Sequence, residues 1–289
     1  MHLGIIANRV RDEGLAVARP LISWLRARGV RVTPEPTLAR DLGEEAVDMR
    51  RWPGLGMDFI MVLGGDGTLL GAARSMHRLD LPLLGVNLGR LGFLTEIELN
   101  DLYHVLPHFL EGEYDEDQRH FMRATVFRGE ETVEDFLALN DMVIGKGSFS
   151  RMVDVRAWVD GSLMGAYRAD GIILSTATGS TAYSLSAGGP VIHPELKVLV
   201  VTPVCPHSFY ARPVVLSHDQ VVRIRGDYRH HDGKPLLTVD GRQGRELLEG
   251  DAVEARLSDR TVTLLRHRGW NFYEVLRRKF SGFEGSLEP

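Results

Sequence analysis

The chain has 289 residues, and its 44% hydrophobic and 25% charged residues are typical of a soluble globular protein with one large domain or two ordinary ones. Its formal net charge of −5 gives no sign of a nucleic-acid-binding protein, so a polyanionic substrate would need a local basic site. The only cysteine, Cys205, excludes an intrachain disulfide and a cysteine metal cluster.

The first residues lack the basic region and the cleavage site of a secretory signal peptide. No apolar run approaches the length of about 18 residues that a membrane span requires. A single cysteine also suits a reducing compartment. We therefore expect a cytoplasmic protein with no membrane partner and, from its charge, no nucleic-acid partner.

The first hundred residues alternate strand and helix patterns around an irregular region at 34–56. The predicted strands are continuous apolar runs, which indicates a Rossmann-like parallel sheet covered by helices on both faces. Ligands of such sheets bind beyond the carboxyl ends of the strands. Strands are predicted at 3–7, 30–33, 59–63 and 81–86, and helices at 14–28, 41–50 and 69–77.

After a predicted linking helix at 99–111, the pattern changes to short runs rich in Val, Ile, Thr and aromatic residues. One pair of these runs is separated by Asp160-Gly161, which predicts a β-hairpin. We predict an α/β domain at 1–112, an all-β domain at 113–266, and a C-terminal segment at 267–289 with a helix that returns to the first domain. The β runs are 153–159, 162–167, 171–175, 198–202, 214–216, 221–225, 236–239, 252–257 and 261–266, and the last helix is 270–280.

The most informative motif is GGDGT at 64–68, between a predicted strand and a predicted helix. Its glycines permit a sharp turn and a close backbone approach, and free N–H groups at a helix N-terminus bind anions. Asp66 would repel a phosphate there, so its expected role is to accept a proton from an attacking hydroxyl or to help hold a metal ion. The motif predicts phosphoryl transfer; the alternative is a structural turn with Asp66 as the helix N-cap.

Two other segments place polar groups beside apolar runs. A second glycine loop, GRLGFLTE at 89–96, follows the strand at 81–86, and its Phe93 would either wall an adenine pocket or pack in the core. Asn140 and Asp141 interrupt an apolar run. Buried polar groups need partners, which the ribose or purine edges of a ligand would supply. The alternative for this pair is a β-bulge or a turn.

The segment TATGSTAYSLSAGGP at 176–190 is dense in hydroxyls and glycines. Hydroxyl groups suit ribose and adenine edges because each of them both donates and accepts. Nearby, Asp170 would accept ribose hydroxyls, and Tyr183 offers a ring face to a base. The alternative is a capped short helix at 181–187 in a connection between strands.

Together these segments closely resemble the NAD kinase family. The matching segments are GGDGT, GRLGFLTE, LND, RADGIILSTATGSTAYSLSAGGPVIHP, VTPVCPHSFYARPVV and VDGR, and they extend over most of the chain in the family's order. GGDGT is also found in lipid kinases, whereas TGSTAYSLSAGG is far more specific.

The resemblance implies an enzyme that phosphorylates the 2′-hydroxyl of the adenosine ribose of NAD to give NADP. The second domain would be β-sandwich-like. NAD would bind between the two domains, and Asp66 would be the general base. The donor would be ATP or inorganic polyphosphate, with a divalent metal ion, expected to be Mg²⁺. The resemblance implies no protein residue as a ligand of this ion. The protein would be a homodimer or a homotetramer.

The resemblance also implies a set of substrate contacts. Arg151 and Arg168 would pair with phosphates, because an arginine fork engages two oxygens. Gly64, Gly65 and Thr68 would form the phosphate loop. The implied substrate-binding residues are Gly67, Asn140, Asp141, Arg151, Arg168, Asp170, Thr178, Thr181, Ala182, Tyr183, Ser184, Leu185, Ser186 and Arg242.

Three positions depart from the family's usual residues. Asp141 stands where Glu is usual, Ala177 where Pro is usual, and Arg242 where many members have Gln. The shorter Asp141 would require a water or a small shift, and Arg242 would either reach a phosphate or be solvated. These departures affect single contacts and leave the reaction class intact.

Other functions remain open at this point. A lipid kinase built on GGDGT would need a membrane-facing entrance, and no basic amphipathic helix is present in the sequence. A non-catalytic dinucleotide sensor would be favoured by loss of Asp66, which this chain retains. A sugar kinase of the phosphofructokinase type would be expected to carry more basic residues near the first glycine loops.

Overall fold

The computed structural model describes residues 1–89, 92–147, 152–227 and 235–281. The chain forms two compact units. The first comprises residues 1–118 and the chain from Val262 onward, and the second comprises residues 119–261.

The strands and helices are numbered along the chain. The strands are β1 His2–Ala7, β2 Arg31–Pro34, β3 Phe59–Gly64, β4 Leu83–Asn87, β5 Ile97–Glu98, β6 Tyr114–Arg128, β7 Glu131–Ala138, β8 Asp141–Gly145, β9 Val153–Val159, β10 Ser162–Ala169, β11 Gly171–Thr176, β12 Val198–Val204, β13 Val214–Ser217, β14 Val222–Asp227, β15 Leu236–Val239, β16 Arg242–Glu246 and β17 Asp251–His267. The helices are α1 Ala18–Arg26, α2 Pro36–Leu42, α3 Asp66–Met76, α4 Leu102–Leu110, α5 Tyr183–Ser186 and α6 Phe272–Ser281.

The first unit is built on a parallel sheet with the order β4-β3-β1-β2. Strands β1, β3 and β4 are buried almost throughout, which explains their continuous apolar sequences. The predicted parallel α/β sheet is therefore confirmed. Because the strands are parallel, the loops that follow β1, β3 and β4 leave the sheet at the same edge.

Two helix predictions in this unit were wrong in their bounds. The first helix begins at Ala18 rather than at residue 14, because Gly14 has a φ of +64° and the carboxylate of Asp12 accepts the N–H groups of Val17 and Ala18. The helix predicted at 41–50 is instead α2, which Pro36 starts and Gly43, with a φ of +76°, ends. Proline at a first helical position and a left-handed glycine after the last turn are typical helix boundaries.

The second unit contains a six-stranded antiparallel sheet in the order β13-β12-β11-β8-β15-β16. Strands β10, β9, β14 and the first part of β17 form a second antiparallel layer. Side chains of both layers share one hydrophobic core, among them Val155 and Ile224 from the second layer and Ile144 and Leu174 from the first. This arrangement is the predicted β-sandwich.

The hairpin predicted at Asp160-Gly161 joins β9 and β10, and both turn residues have positive φ values, +47° and +80°. The runs predicted separately at 252–257 and 261–266 are one strand, β17. The intervening polar residues are half-buried or exposed and continue the strand without a turn.

The predicted C-terminal helix is α6, and it belongs to the first unit. Its buried Phe272 contacts Phe93, with ring centroids 6.5 Å apart. No helix among the described residues has the length and apolar character needed to cross a bilayer.

Candidate functional site

The GGDGT motif forms the turn between β3 and α3. A β-carbon on Gly64 would lie 2.3 Å from Thr68 Oγ1, so the helix can pack against the strand end only because this residue has no side chain. Gly67 has open space around it. The helix N-cap is Gly65 rather than Asp66, so the interpretation of Asp66 as a structural cap is wrong.

Asp66 is held by the second glycine loop. Its Oδ2 accepts the N–H of Phe93 at 2.8 Å, and its Oδ1 accepts the N–H groups of Leu94 and Thr95, both at 3.2 Å. The hydroxyl of Thr95 lies 3.4 Å from the same oxygen. A β-carbon on Gly92 would lie 1.8 Å from Asp66 Oδ1. The two glycine motifs of the sequence therefore form one structure, in which the second loop fixes the carboxylate of the first.

The ring of Phe93 packs on α6. Besides its contact with Phe272, it lies under the ammonium group of Lys279, which is 5.2 Å from the ring centroid. Phe93 is half-buried, and its backbone N–H serves Asp66. These contacts favour packing within the protein, one of the two environments expected for Phe93. The contact with adenine stays a prediction.

A basic residue that the sequence reasoning missed lies beside both glycine loops. A β-carbon on Gly65 would lie 2.8 Å from Arg11 Nη1, and a β-carbon on Gly89 would lie 2.9 Å from the same nitrogen. Its position in the sequence is a signal that could have identified it. Arg11 comes shortly after β1, and the loops that follow parallel strands meet at one edge of the sheet.

In the second unit, Asn140 and Asp141 lie at the start of β8, and the turn after β15 holds their backbone. The carboxylate of Asp240 accepts the N–H groups of Leu139, Asn140 and Asp141 at 3.1, 2.8 and 3.2 Å. Asp240 and Gly241 both have positive φ values. Asp240 was not predicted as a site residue, although VDGR was recognised as a motif.

Two buried polar atoms of this region have no hydrogen-bond partner among the described residues: Oδ1 of Asn140 and Oγ of Ser175. Ser175 on β11 pairs in register with Asp141 on β8. An unpaired buried polar atom costs free energy, so such atoms commonly mark the place of a water or a ligand. Ser175 was missed because a serine in an apolar strand carries no motif.

The side chain of Asp141 is buried, with 5% of the residue exposed. Burial, and then the charge of Asp240, raise the pKa of Asp141 to about 7, while the backbone amide of Tyr183 opposes the shift. The group therefore gains or loses a proton near neutral pH.

The hydroxyl-rich segment forms a 3₁₀ helix, Thr178–Thr181, followed by the short helix α5. A β-carbon on Gly179 would lie 1.9 Å from the backbone oxygen of Asn140, so glycine is required for this segment to lie against β8. The predicted residues differ in how their hydroxyls are used. The buried Ser184 pairs with Thr202 at 2.9 Å, and the buried Thr178 accepts from Arg119.

The remaining members of the predicted set in this segment are more accessible. Tyr183 is 46% exposed, which leaves its ring free for a base. Ser186 is also exposed. The half-buried residues are Thr181, Ala182 and Leu185.

The predicted charged contacts have different surroundings. Asp170 forms an ion pair with Lys146 Nζ at 2.7 Å. Arg168 is mostly exposed, with a loose pairing to Asp154 at 3.9 Å. Arg242 is exposed at the start of β16. Arg151 lies outside the described residues.

Comparison with known proteins agrees with the motifs. Residues 3–114 match the family model for the ATP-NAD kinase N-terminal domain, and residues 139–267 match that for the ATP-NAD kinase C-terminal domain. The chain belongs to the NAD kinase family. It is 44% identical over 280 residues to the NAD kinase of Syntrophotalea carbinolica, covering 96% of this chain and 97% of that protein. It is 45% identical over 264 residues to the NAD kinase of Geobacter sulfurreducens, covering 91% and 92%.

Solved structures of NAD kinases have the same fold. Yeast NADH kinase complexed with NADH superposes with a TM-score of 0.85 at 23% identity, covering 100% of this chain and 89% of that one. An NAD kinase from Archaeoglobus fulgidus in complex with ATP gives a TM-score of 0.72 at 24% identity, covering 97% and 98%.

Proposed function

We propose that the protein transfers the terminal phosphate of ATP to the 2′-hydroxyl of the adenosine ribose of NAD, giving NADP and ADP. The observation that carries the proposal is the placement of Asp66. In a chain of the NAD kinase family, its carboxylate stands at the GGDGT turn and is held there by three backbone N–H groups of the second glycine loop.

In the proposed step, the 2′-oxygen forms a bond with the terminal phosphorus of ATP, and the bond between that phosphorus and the bridging oxygen breaks. The proton of the 2′-hydroxyl passes to Asp66, and ADP leaves. The hydrogen bonds from Phe93, Leu94 and Thr95 fix the direction in which the carboxylate accepts that proton. Most of the remaining rate enhancement in phosphoryl transfer comes from positioning and charge stabilisation.

A magnesium ion held mainly by the phosphates of ATP is also proposed. Among the described residues, no three His, Cys, Asp or Glu side chains form a metal-binding group. Magnesium sites commonly use one or two carboxylates, several waters and substrate phosphates, and Asp66 is the carboxylate at the turn. When bound, the ion would neutralise charge on the transferring phosphoryl group.

For the β-rich domain, predicted at 113–266, we propose the role of binding NAD. The buried and unpaired Oδ1 of Asn140 and Oγ of Ser175 support it, because ribose and purine edges offer the missing partners. Asp141 and the exposed ring of Tyr183 are proposed to contact the dinucleotide as well. The other proposed contacts are Gly67, Arg151, Arg168, Asp170, Thr178, Thr181, Ala182, Ser184, Leu185, Ser186 and Arg242, with Gly64, Gly65 and Thr68 in the phosphate loop.

A homodimer or homotetramer in the cytoplasm is also proposed. The resemblance to the NAD kinase family supports the assembly, and the single free cysteine suits a reducing compartment.

The test is the formation of NADP by the purified protein with NAD and Mg²⁺, with ATP and polyphosphate offered in separate reactions. Product with ATP is expected. The Asp66→Asn variant should bind NAD but turn over about 10²–10⁴ times more slowly, the range for a positioned general base. Unchanged turnover in that variant would remove Asp66 from the proton transfer. NAD binding without product from either donor would favour a dinucleotide sensor.

A further inference from the structure

The loop between β1 and α1 is fixed at both ends. Asn8 donates from its side-chain amide to Thr68 Oγ1 of the GGDGT motif at 2.9 Å, and its own Oδ1 accepts the N–H of Arg11. At the other end, the buried carboxylate of Asp12 accepts the N–H groups of Val17 and Ala18 at 2.8 and 2.9 Å. The loop therefore holds Arg11 between two hydrogen-bonded ends, beside the first residues of α3.

The guanidinium of Arg11 lies against the two glycine loops. Its Nη1 is 2.8 Å from the position that a β-carbon of Gly65 would take, and 2.9 Å from that of Gly89. A side chain at either glycine would displace it. Among the described residues, no carboxylate or carbonyl oxygen accepts a hydrogen bond from this guanidinium, and Arg11 is exposed. The N–H groups of this guanidinium are therefore available to donate hydrogen bonds to a ligand.

The neighbouring Arg9 provides a contrast on the same loop. Its Nε forms an ion pair with Asp41 at 2.6 Å, and both side chains are partly exposed. The positive charge of Arg9 is therefore compensated within the protein, whereas that of Arg11 is directed at the glycine loops. These two arginines, two residues apart in the sequence, therefore have different surroundings.

We propose that Arg11 binds the phosphate chain of the phosphoryl donor, a nucleoside triphosphate or an inorganic polyphosphate, over the GGDGT turn. The assignment rests on the proposed kinase function. A planar guanidinium engages two phosphate oxygens at once, and the N–H groups at the start of α3 provide further donors at the same place. Arg11 supplies a positive charge beside the acidic Asp66 turn, so that a polyanion is held there despite the carboxylate.

The test compares Arg11→Gln, Arg11→Lys and the matched control Arg9→Gln in steady-state kinetics. In Arg11→Gln the KM for ATP should rise about tenfold to a hundredfold, the effect of losing charge-assisted hydrogen bonds, while the KM for NAD stays unchanged. Arg11→Lys should have an intermediate KM for ATP, because an ammonium group cannot bind two phosphate oxygens in the way that a planar guanidinium does. Arg9→Gln should match the wild type. Thermal unfolding checks that the exposed substitutions leave the fold intact.

Calorimetry with inorganic tripolyphosphate and Mg²⁺ measures the same contact without turnover. The wild type and Arg9→Gln should bind it, and Arg11→Gln should bind it about tenfold to a hundredfold more weakly. An unchanged KM for ATP together with unchanged tripolyphosphate affinity in Arg11→Gln would overturn the proposal. So would a raised KM for NAD with an unchanged KM for ATP, since Arg11 would then serve the acceptor's diphosphate.

Asp66→Asn, measured alongside, separates this proposal from the kinase assignment. If Asp66→Asn loses turnover and Arg11→Gln keeps the wild-type KM for ATP, only the role of Arg11 fails. If the wild type makes no NADP, the kinase function fails, and tripolyphosphate binding still decides whether Arg11 holds a phosphate chain.

Discussion

Gly92 and Asp66 are in such close contact that a β-carbon on Gly92 would lie 1.8 Å from Asp66 Oδ1. The same carbon would lie 2.6 Å from Thr95 Oγ1. The second glycine loop thus reaches the carboxylate with its backbone only because this position has no side chain.

Gly92→Ala should therefore disturb the orientation of Asp66. The added methyl group would push the carboxylate away from the N–H groups that hold it, and a displacement of about 1 Å in a catalytic group can cost about 10² in rate. We expect kcat to fall by that order with little change in NAD affinity. Gly54→Ala is the matched control, because nothing lies within 4 Å of the added carbon. Equal kcat values for the two variants would show that the loop relaxes without moving Asp66.

Arg266 should be a major contributor to the stability of the first unit. Its buried guanidinium donates to Asp117 at 2.9 Å, to Glu96 at 3.0 Å and to the carbonyl of Leu94 at 3.1 Å. Only 1% of its side chain is exposed. Arg266→Met would leave two buried carboxylates without this partner, so the free energy of unfolding should fall by about 3–5 kcal/mol, measured by chemical denaturation.

The control for Arg266 is an exposed arginine in a similar ion pair. Arg123 pairs with Asp135 at 2.7 Å, but both side chains are more than 40% exposed. Arg123→Met should have little effect on stability, because solvent screens such pairs. If both methionine variants unfold at the same denaturant concentration, the buried interactions of Arg266 do not contribute the stability expected of them.

The sequence predicts most of this fold because its strongest signals are local. Strand β3, the turn at 64–68 and α3 follow from an apolar run, three glycines and a helical pattern in immediate succession. The hairpin at Asp160-Gly161 follows from a pair of residues that tolerate positive φ values. In each case the residues that determine the structure are adjacent in the chain.

The site residues that the sequence did not predict depend on contacts between parts of the chain that are distant in sequence. Arg11 became a candidate only when the structure brought it against Gly65 and Gly89, and Ser175 when its hydroxyl was found buried without a partner. The boundaries of α2 and the length of β17 were missed for a different reason. Pro36 and Gly43 determine the ends of α2, although the surrounding apolar pattern indicates a helix further along the chain. In β17 the polar residues continue the strand, although the pattern indicates a break there.

The stability of the protein should depend on the protonation of Asp141. Its pKa is about 7 in the folded state, against 3.8 for an ordinary aspartate. Between about pH 4 and pH 7 the folded state therefore holds a proton that the unfolded chain has released, and the contribution to the free energy of unfolding falls as the pH rises. Below this window both states are protonated, and above it both are ionised.

Asp141→Asn removes this dependence by replacing the carboxyl group with a neutral group of similar shape. The variant should match the wild type near pH 4 and exceed its free energy of unfolding near pH 7.5 by a few kcal/mol, since each pKa unit is worth about 1.36 kcal/mol. Denaturation at both pH values measures the difference. Asp135→Asn, at an exposed aspartate whose pKa is lowered by Arg123, should show no gain at neutral pH. A pH-independent difference between wild type and Asp141→Asn would contradict the assignment.

Ser175 should matter for NAD binding rather than for folding. Its buried Oγ has no partner among the described residues, so Ser175→Ala removes an unsatisfied hydroxyl and should not lower the thermal midpoint of the free protein. If NAD supplies the missing partner, the same change should weaken NAD about 2-fold to 10-fold, the value of one neutral hydrogen bond. Thermal unfolding and calorimetric titration with NAD measure the two effects.

The matched control for Ser175 is Ser180, whose buried hydroxyl is already satisfied. Its Oγ donates to the carbonyl of Ala177 at 2.7 Å and accepts the N–H of Ile192 at 3.0 Å. Ser180→Ala should therefore lower the free energy of unfolding by about 1–3 kcal/mol, because it leaves buried backbone groups unpaired. A Ser175→Ala variant that loses stability as Ser180→Ala does, with unchanged NAD affinity, would assign the Ser175 hydroxyl to the fold and not to the ligand.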